Sequence, residues 1–286
     1  MAGLSQSSSA DTTTTTTTTN GIPNPPVDPV ASAHEVEDDN EYQVLPEEHL
    51  AFDEALLPGG VRDLSYIGVQ AFGLGNAFTG TIVLTAYLVS IGSTWWRLPA
   101  FLVCLSIFHF LEYWTTARYN APSCKASSFL LFSNGAAYNI AHSCATLEIV
   151  VSQFFPVYQK TGVYAITILA GVVLVLVGQV VRTIAMCQAG TNFNHIVQGK
   201  KKDDHELVTD GIYSYFRHPS YFGFFWWAVG TQVLVGNKVC LVGYVIVLWQ
   251  FFNDRIRGEE KYLISFFGEK YEDFKKRTGT KIPFIR

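Results

Sequence analysis

The chain has 286 residues, of which 49% are hydrophobic and only 15% charged, where a soluble domain carries about a quarter charged residues. With a mean hydropathy of +0.20, this composition argues against an ordinary soluble protein and for an integral membrane one. The formal net charge of −4 arises from acids gathered near the N-terminus, and nothing resembles the basic face that a nucleic-acid partner requires.

Residues 1–60 read as a solvated tail. Eight consecutive threonines, Thr12 to Thr19, lead into a proline-rich patch and then an acidic one reaching Glu54. This composition buries too little apolar surface to offset the entropy of ordering. The first apolar run starts beyond residue 60, so no cleavable signal peptide is expected and the first membrane helix should direct insertion. Tyr66 to Ile91 is uncharged and long enough to span a hydrocarbon core, which needs about 20 residues. Leu98 to Trp114 is shorter and holds His109 and Glu112. Phe129 to Phe155 carries Asn134, Asn139, His142 and Glu148, so it is expected to face other helices rather than lipid. Thr161 to Val181 is the cleanest span. Pro219 to Val235 and Val239 to Phe252 are two shorter runs joined by Gly236-Asn237-Lys238, a helical hairpin whose two ends return to one side. Ionisable groups at membrane depth mark function or inter-helix pairing; for Glu112, His109, His142 and Glu148 pairing is the simpler reading. The five cysteines are scattered, lack metal-ligand spacing and read as small buried hydrophobes; no metal site is expected.

Loop charges set the orientation. The gaps after the first, third and fifth runs carry single basic residues, Arg97, Lys160 and Lys238. The opposite side has Arg118, Lys125, Lys200, Lys201, Lys202 and Arg217, followed by nine more basic residues from Arg255 onward. Basic loops stay in the cytosol. The fold class that follows is all-α and polytopic, with about six transmembrane helices and both termini cytosolic. Residues 61–190 hold four of those helices. Residues 191–286 hold a cytosolic loop, the hairpin and a C-terminal helix. That last helix, Glu259 to Phe274 with a break at Gly268, places aromatic residues among charges and either lies in the membrane interface or packs on the cytosolic loops.

The chemistry-bearing stretch is Leu207 to Gly223, LVTDGIYSYFRHPSYFG, answered by Arg255 to Glu259. Thr209-Asp210-Gly211 is a turn signal. Pro219 suits the first position of a helix, where its missing N–H costs nothing, and the N–H groups of Ser220, Tyr221 and Phe222 are expected to form an anion site. His218 is either a cap or a pocket residue. Arg255 and Glu259, four apart, share a helix face. They form either a weak surface ion pair or a site in which the guanidinium grips a carboxylate bidentately.

GIYSYFRHPSYFG, the preceding AGTNFNHIVQ (Ala189 to Gln198) and the closing RIRGEEKYLISFFGEKYEDFKKR resemble the isoprenylcysteine carboxyl methyltransferase family over about residues 65 to 286. The RHPxY core alone also resembles membrane phospholipid methyltransferases and sterol reductases; joined to NFNH and FFGEKY it is far more specific. Six runs are counted where some members have eight spans, and the Thr-rich tail is not part of the family pattern. The resemblance implies an endoplasmic-reticulum membrane enzyme that uses S-adenosylmethionine to methylate the C-terminal carboxylate of the prenylated cysteine in processed CaaX proteins. It implies that the cofactor is held by Gln198, His205, Glu206, Leu207, Val208, Tyr213, His218, Pro219, Ser220, Tyr221 and Glu259, and that Arg255 meets the substrate. The alternatives are a phospholipid N-methyltransferase with the same cofactor or a membrane scaffold without activity. An acceptor carboxylate has a reference pKa of about 3.3–3.7 and is already ionised near neutrality. The lack of a Ser/His/Asp or Cys/His constellation therefore does not count against catalysis. The bilayer would deliver the prenyl chain.

Overall fold

The computed structural model describes residues 53–155, 164–201 and 205–285. The expected tail lies outside them except for its last eight residues. These form a 3-10 turn, Glu54–Leu56, against the approach to the first helix, where the Arg62 N–H donates to the Ala55 carbonyl at 2.7 Å. Lys202 of the basic loop also lies outside the described residues.

Seven α-helices and no strand occur among the described residues: α1 Leu64–Ser90, α2 Arg97–Tyr119, α3 Ala136–Ser152, α4 Tyr164–Ala189, α5 Pro219–Val235, α6 Val239–Phe267 and α7 Glu269–Arg277. Among the described residues four helical stretches are long and apolar enough to cross a membrane: Leu64–Ser90, Thr94–Tyr119, Ala165–Asn192 and Val239–Phe267. The other two apolar runs form shorter helices. α3 and α5 have 17 residues each, about 25 Å of rise, short of the ~30 Å core. The run expected to start at Phe129 turns instead through a 3-10 segment to Leu130, whose φ of 58° is left-handed, and is helical only from Ala136. α6 continues well past Phe252 through the charged residues to Phe267, so Arg255 and Glu259 sit inside one unbroken helix. The expected break at Gly268 is present, with φ +54°. Beyond it Tyr271 and Phe274 are buried, so α7 packs on the protein rather than turning these rings to lipid. Of the cysteines only Cys104 is buried; Cys144 is exposed on α3.

α5 is the central helix, with most of its side chains buried, whereas α1 turns Val69, Phe72 and Val83 outward. α4 and α5 run antiparallel in near backbone contact. A Cβ added at Gly171 would come within 2.4 Å of Leu234 N, and one at Gly178 within 2.4 Å of Trp227 N. One at Gly223 would meet the Gly178 carbonyl at 2.6 Å. In a bilayer, where lipid tails are as apolar as side chains, close packing of small residues of this kind drives helix association. Trp227 then stacks on Phe108 of α2 with ring centroids 4.3 Å apart. At the end of the bundle away from the RHPSY turn, Glu148 of α3 accepts the N–H groups of Lys238, Val239 and Cys240 at 2.7, 2.9 and 2.7 Å. A carboxylate there caps the positive end of the α6 dipole.

Gly178→Val should lower the thermal unfolding midpoint of detergent-solubilised protein by an amount matching the roughly 1–3 kcal/mol of overpacking. Gly80→Val, whose added Cβ meets nothing within 4 Å, should shift it far less. Equal midpoints for the two variants would mean that the α4–α5 approach is not as close as described.

Candidate active site

The start of α5, the end of α4, the loop between them and the charged half of α6 enclose one cleft of about 890 Å³ including its open mouth. Gln198, His205, Glu206, Leu207, Val208, Tyr213, His218, Pro219, Ser220, Tyr221 and Glu259 all line it. Its further wall is aromatic. The His205 ring lies edge-on to Phe267 and Phe266 at 5.4 and 6.0 Å, and Tyr262 stacks on Phe266 at 6.2 Å. Asn192, Tyr262, Leu263, Phe266, Tyr271 and Phe274 also line the cleft; sequence reasoning assigned the last five to a face turned to the membrane interface or the cytosolic loops, not to the site. An apolar residue on an amphipathic helix gives no sign of whether lipid, core or ligand will cover it.

The loop is held by side chains that the sequence does not pair. The Asn120 amide donates to the Phe193 carbonyl at 2.8 Å, and Asn192 Oδ1 accepts the Glu206 N–H at 2.9 Å. Gln188 Oε1 accepts the Ile212 N–H at 2.8 Å. The Tyr213 hydroxyl donates to the Ala185 carbonyl at 3.2 Å. Burial, and then the nearby Glu259 carboxylate, push the Tyr213 phenol above its ordinary pKa, so it stays a neutral donor.

Arg255 and Glu259 make no direct ion pair. The Tyr221 hydroxyl joins them, accepting from Arg255 Nε at 2.9 Å and donating to Glu259 Oε2 at 2.6 Å. Arg255 Nη2 also donates to the His195 carbonyl, and the guanidinium lies over the Tyr221 and Phe251 rings at 5.5 and 5.7 Å. The fork expected to hold a carboxylate bidentately is thus partly used, leaving Nη1 as its freest donor. The helix start also differs from expectation. The N–H groups of Tyr221 and Phe222 both donate to the His218 carbonyl, at 3.1 and 3.0 Å. They are spent inside the helix, and of the three expected anion donors only the Ser220 N–H remains.

Two buried carboxylates fix this geometry. Glu112 of α2 binds Arg182 of α4 through both oxygens, Oε2 to Nη2 at 2.8 Å, and Oε2 also meets His195 Nε2 at 2.9 Å. Arg182 Nη1 reaches Ser220 Oγ at 2.9 Å. Glu112, expected to pair between helices, therefore does so with a partner that contacts Ser220, a residue of the cleft wall. Glu260 accepts Arg217 Nε and Lys275 Nζ at 2.5 Å each and lies 3.2 Å from His218 Nε2. Arg217 Nη1 donates to the Thr278 carbonyl at 2.6 Å. A buried side-chain atom beside the cleft, Arg217 Nη2, has no hydrogen-bond partner.

Long apolar helices around a polar, aromatic-walled cleft at one end define an α-helical integral membrane protein with a ligand site at its surface. The isoprenylcysteine carboxyl methyltransferase (ICMT) family model matches residues 171–265. Protein-S-isoprenylcysteine O-methyltransferase of Saccharomyces cerevisiae is 51% identical over 189 residues, covering 65% of this chain and 79% of that protein. The Homo sapiens protein of the same name is 41% identical over 222 residues, covering 77% and 75%. A solved structure of the eukaryotic intramembrane Ras methyltransferase ICMT aligns with TM-score 0.66 at 34% identity, over 73% of this chain and 74% of that one. The chain belongs to the isoprenylcysteine carboxyl methyltransferase family and is a membrane methyltransferase.

Glu112→Ala should cost about 3–5 kcal/mol, because it leaves the buried Arg182 cation unpaired. A much lower unfolding midpoint in detergent is expected. Glu112→Ala combined with Arg182→Met should recover a large part of the loss. A single variant as stable as the wild type would show that the pair carries no such constraint.

Proposed function

We propose that the protein transfers a methyl group from S-adenosylmethionine to the C-terminal carboxylate of a prenylated cysteine, forming a methyl ester. The observation that supports this reading is the Arg255–Tyr221–Glu259 relay, in which one hydroxyl joins a guanidinium to an acid that lines the cleft. The cleft's residues fit such a donor: flat rings from Phe266, Phe267 and Tyr262 for a purine, Glu259 for a group bearing N–H or O–H, and the orphaned buried Arg217 Nη2 for an anionic end. Gln198, His205, Glu206, Leu207, Val208, Tyr213, His218, Pro219, Ser220 and Tyr221 complete its wall.

When bound, S-adenosylmethionine supplies a methyl group on a sulfonium, a good leaving centre that needs no metal and no general acid. With the donor held by these residues, transfer to an acceptor oxygen would form a C–O bond at the expense of the C–S bond, whose electron pair would stay with sulfur. Arg255 receives and orients the acceptor carboxylate. Its guanidinium is held in place by Tyr221 and the His195 carbonyl, so little of its freedom is lost when the carboxylate arrives. Placing two reactants in line can lower a barrier by about 7–11 kcal/mol. Tyr221 carries part of the Glu259 charge by hydrogen bonding and keeps that acid from pairing directly with Arg255. The prenyl chain arrives from the bilayer, which is why an enzyme for a soluble donor is built on membrane helices. The membrane is that of the endoplasmic reticulum, with both termini and the cleft on the cytosolic side.

Membranes containing the protein should transfer label from methyl-labelled S-adenosylmethionine to N-acetyl-farnesylcysteine, and the label should be released by base. Arg255→Ala should lower that rate about 10–100-fold, the worth of one hydrogen bond to a charged group. Base-stable label on lipid would point to N-methylation of a headgroup instead, and an unchanged rate in the variant would remove Arg255 from the reaction.

A further inference from the structure

A second hollow lies at the end of the bundle away from the cleft. α2 meets the cleft loop through Asn120, just past its last residue, so the turn from α1 into α2 stands at the opposite end. The hollow measures about 1150 Å³ including its open side. It exists because α1 stands off from the other helices there: Gln70 and Leu74 are its buried residues, and none beyond Leu74 is buried. Thr85 and Val89 of α1, Val103 of α2, and Ile168 and Val172 of α4 form its walls, with Leu234 of α5 behind them. The rim offers hydroxyls. Ser93 Oγ accepts the Trp95 N–H at 3.4 Å, and its own O–H donates to no described residue. Thr94 Oγ1 donates to Gln153 Oε1 at 2.6 Å and keeps its lone pairs. Among the described residues no charged side chain lines the hollow. An apolar hollow at membrane depth holds no water, so a lipid fills it, and the rim decides which kind. A phosphate would find no cation there, whereas a single hydroxyl would accept from Ser93 and donate to Thr94. The walls favour a rigid body. All five wall residues are β-branched and stiff at χ1, and a fused ring system loses less freedom against such a surface than a flexible acyl chain does.

We propose that this hollow is a sterol site, with the ring system against the β-branched walls between α1 and α4 and the single hydroxyl between Ser93 and Thr94. The sterol supplies the packing that α1 lacks beyond Leu74 and ties that half of the helix to α4. The site stands apart from the methyl-transfer cleft and takes no part in the reaction.

The test is photolabelling of the purified full-length protein in phosphatidylcholine discs with a cholesterol analogue that carries a diazirine on its rings. Label should appear in peptides covering residues 82–104 and 168–172, and excess cholesterol should remove it. Cholesterol methyl ether, which cannot donate, should compete about 3–10-fold less well, the worth of one hydrogen bond. Val172 is 36% exposed, so Val172→Trp puts a ring into the hollow without displacing the core. It should cut labelling about 10-fold, which needs only roughly 60 Å² of apolar contact to be lost. Val180→Trp, on the same helix but outside the hollow, should label as the wild type does. Cholesterol in the discs should raise the unfolding midpoint of the wild type and of Val180→Trp, but not that of Val172→Trp. Label scattered over the outward residues of every helix, or undiminished in Val172→Trp, would overturn the site. Should Val172→Trp fail to fold, the competitors still decide. Oleyl alcohol competing as well as cholesterol would assign the hollow to a flexible chain and overturn the sterol, and equal competition by the ether would overturn the placement of the hydroxyl.

Discussion

Arg182 is a permanent cation in the body of a membrane helix bundle, with its side chain 8% exposed. Moving such a group out of water costs several kcal/mol even after relaxation, and only close pairing offsets that cost. Glu112 supplies the pair, bridging α2 to α4. The two rings flanking the guanidinium, Phe108 and Phe224 at 5.5 and 5.3 Å, add cation–π attraction. Because the pair cannot be loosened cheaply, whatever it touches is placed as firmly as the helices themselves. It touches Ser220 at the head of α5 and His195 in the loop. The His195 carbonyl in turn receives Arg255 from α6. One buried ion pair thus ties together five separate pieces of chain: α2, α4, the head of α5, the His195 loop and α6.

The second constraint lies outside the apolar helices. Glu260 ties the residue before α5 to α7 and, through Arg217, to the backbone at Thr278 and Gly279. The segment beyond α7 then folds back, burying Ile282 and Ile285 against Phe225, Val229, Phe252 and Ile256, while the Pro283 carbonyl accepts the Trp249 indole N–H at 2.9 Å. Apolar burial holds the end of the chain against the hairpin, and the hydrogen bonds from Arg217 use that end as a strut for the cleft wall. Positioning of the site therefore depends on residues far from it in sequence, at both Glu112 and Thr278.

The helices themselves were legible because an apolar run of about 20 residues has few alternatives in a chain this poor in charge. The hairpin at Gly236 was legible for the same reason, helped by turn residues. Helix ends were not. The spacing of Arg255 and Glu259 marked a helix face, but the apolar run stops at Phe252 and nothing local joins the two into one helix; burial of Ile256 and Glu260 accompanies that continuity. Nor does sequence show that Phe129 to Gly135 departs from the helix, a departure tied to the left-handed backbone at Leu130. Gln198, His205 to Val208 and the RHPSY turn could be named for the cleft only through the family resemblance, since Gln198 and His205 to Val208 alone look like ordinary loop residues. Glu260 could not, since its partners lie 43 residues away in one direction and on a separate helix in the other. A buried carboxylate and a surface one look alike in a string of letters.

Glu259 and Glu260 make that last point physical. They are adjacent on one helix, so their side chains diverge by about 100°, and this alone sends them to different surroundings. Glu260 points into the protein, where Arg217, His218 and Lys275 surround it. Glu259 points into the cleft, where it accepts one hydroxyl from Tyr221 and lies near His218 without a full cation of its own. A carboxylate left partly unsatisfied in a cleft is costly to the folded state unless a ligand completes it. The same holds for Arg217 Nη2 across the cleft. Two neighbouring carboxylates on one helix thus take separate parts, one bracing the cleft wall through Arg217 and Lys275 and the other facing the cleft interior.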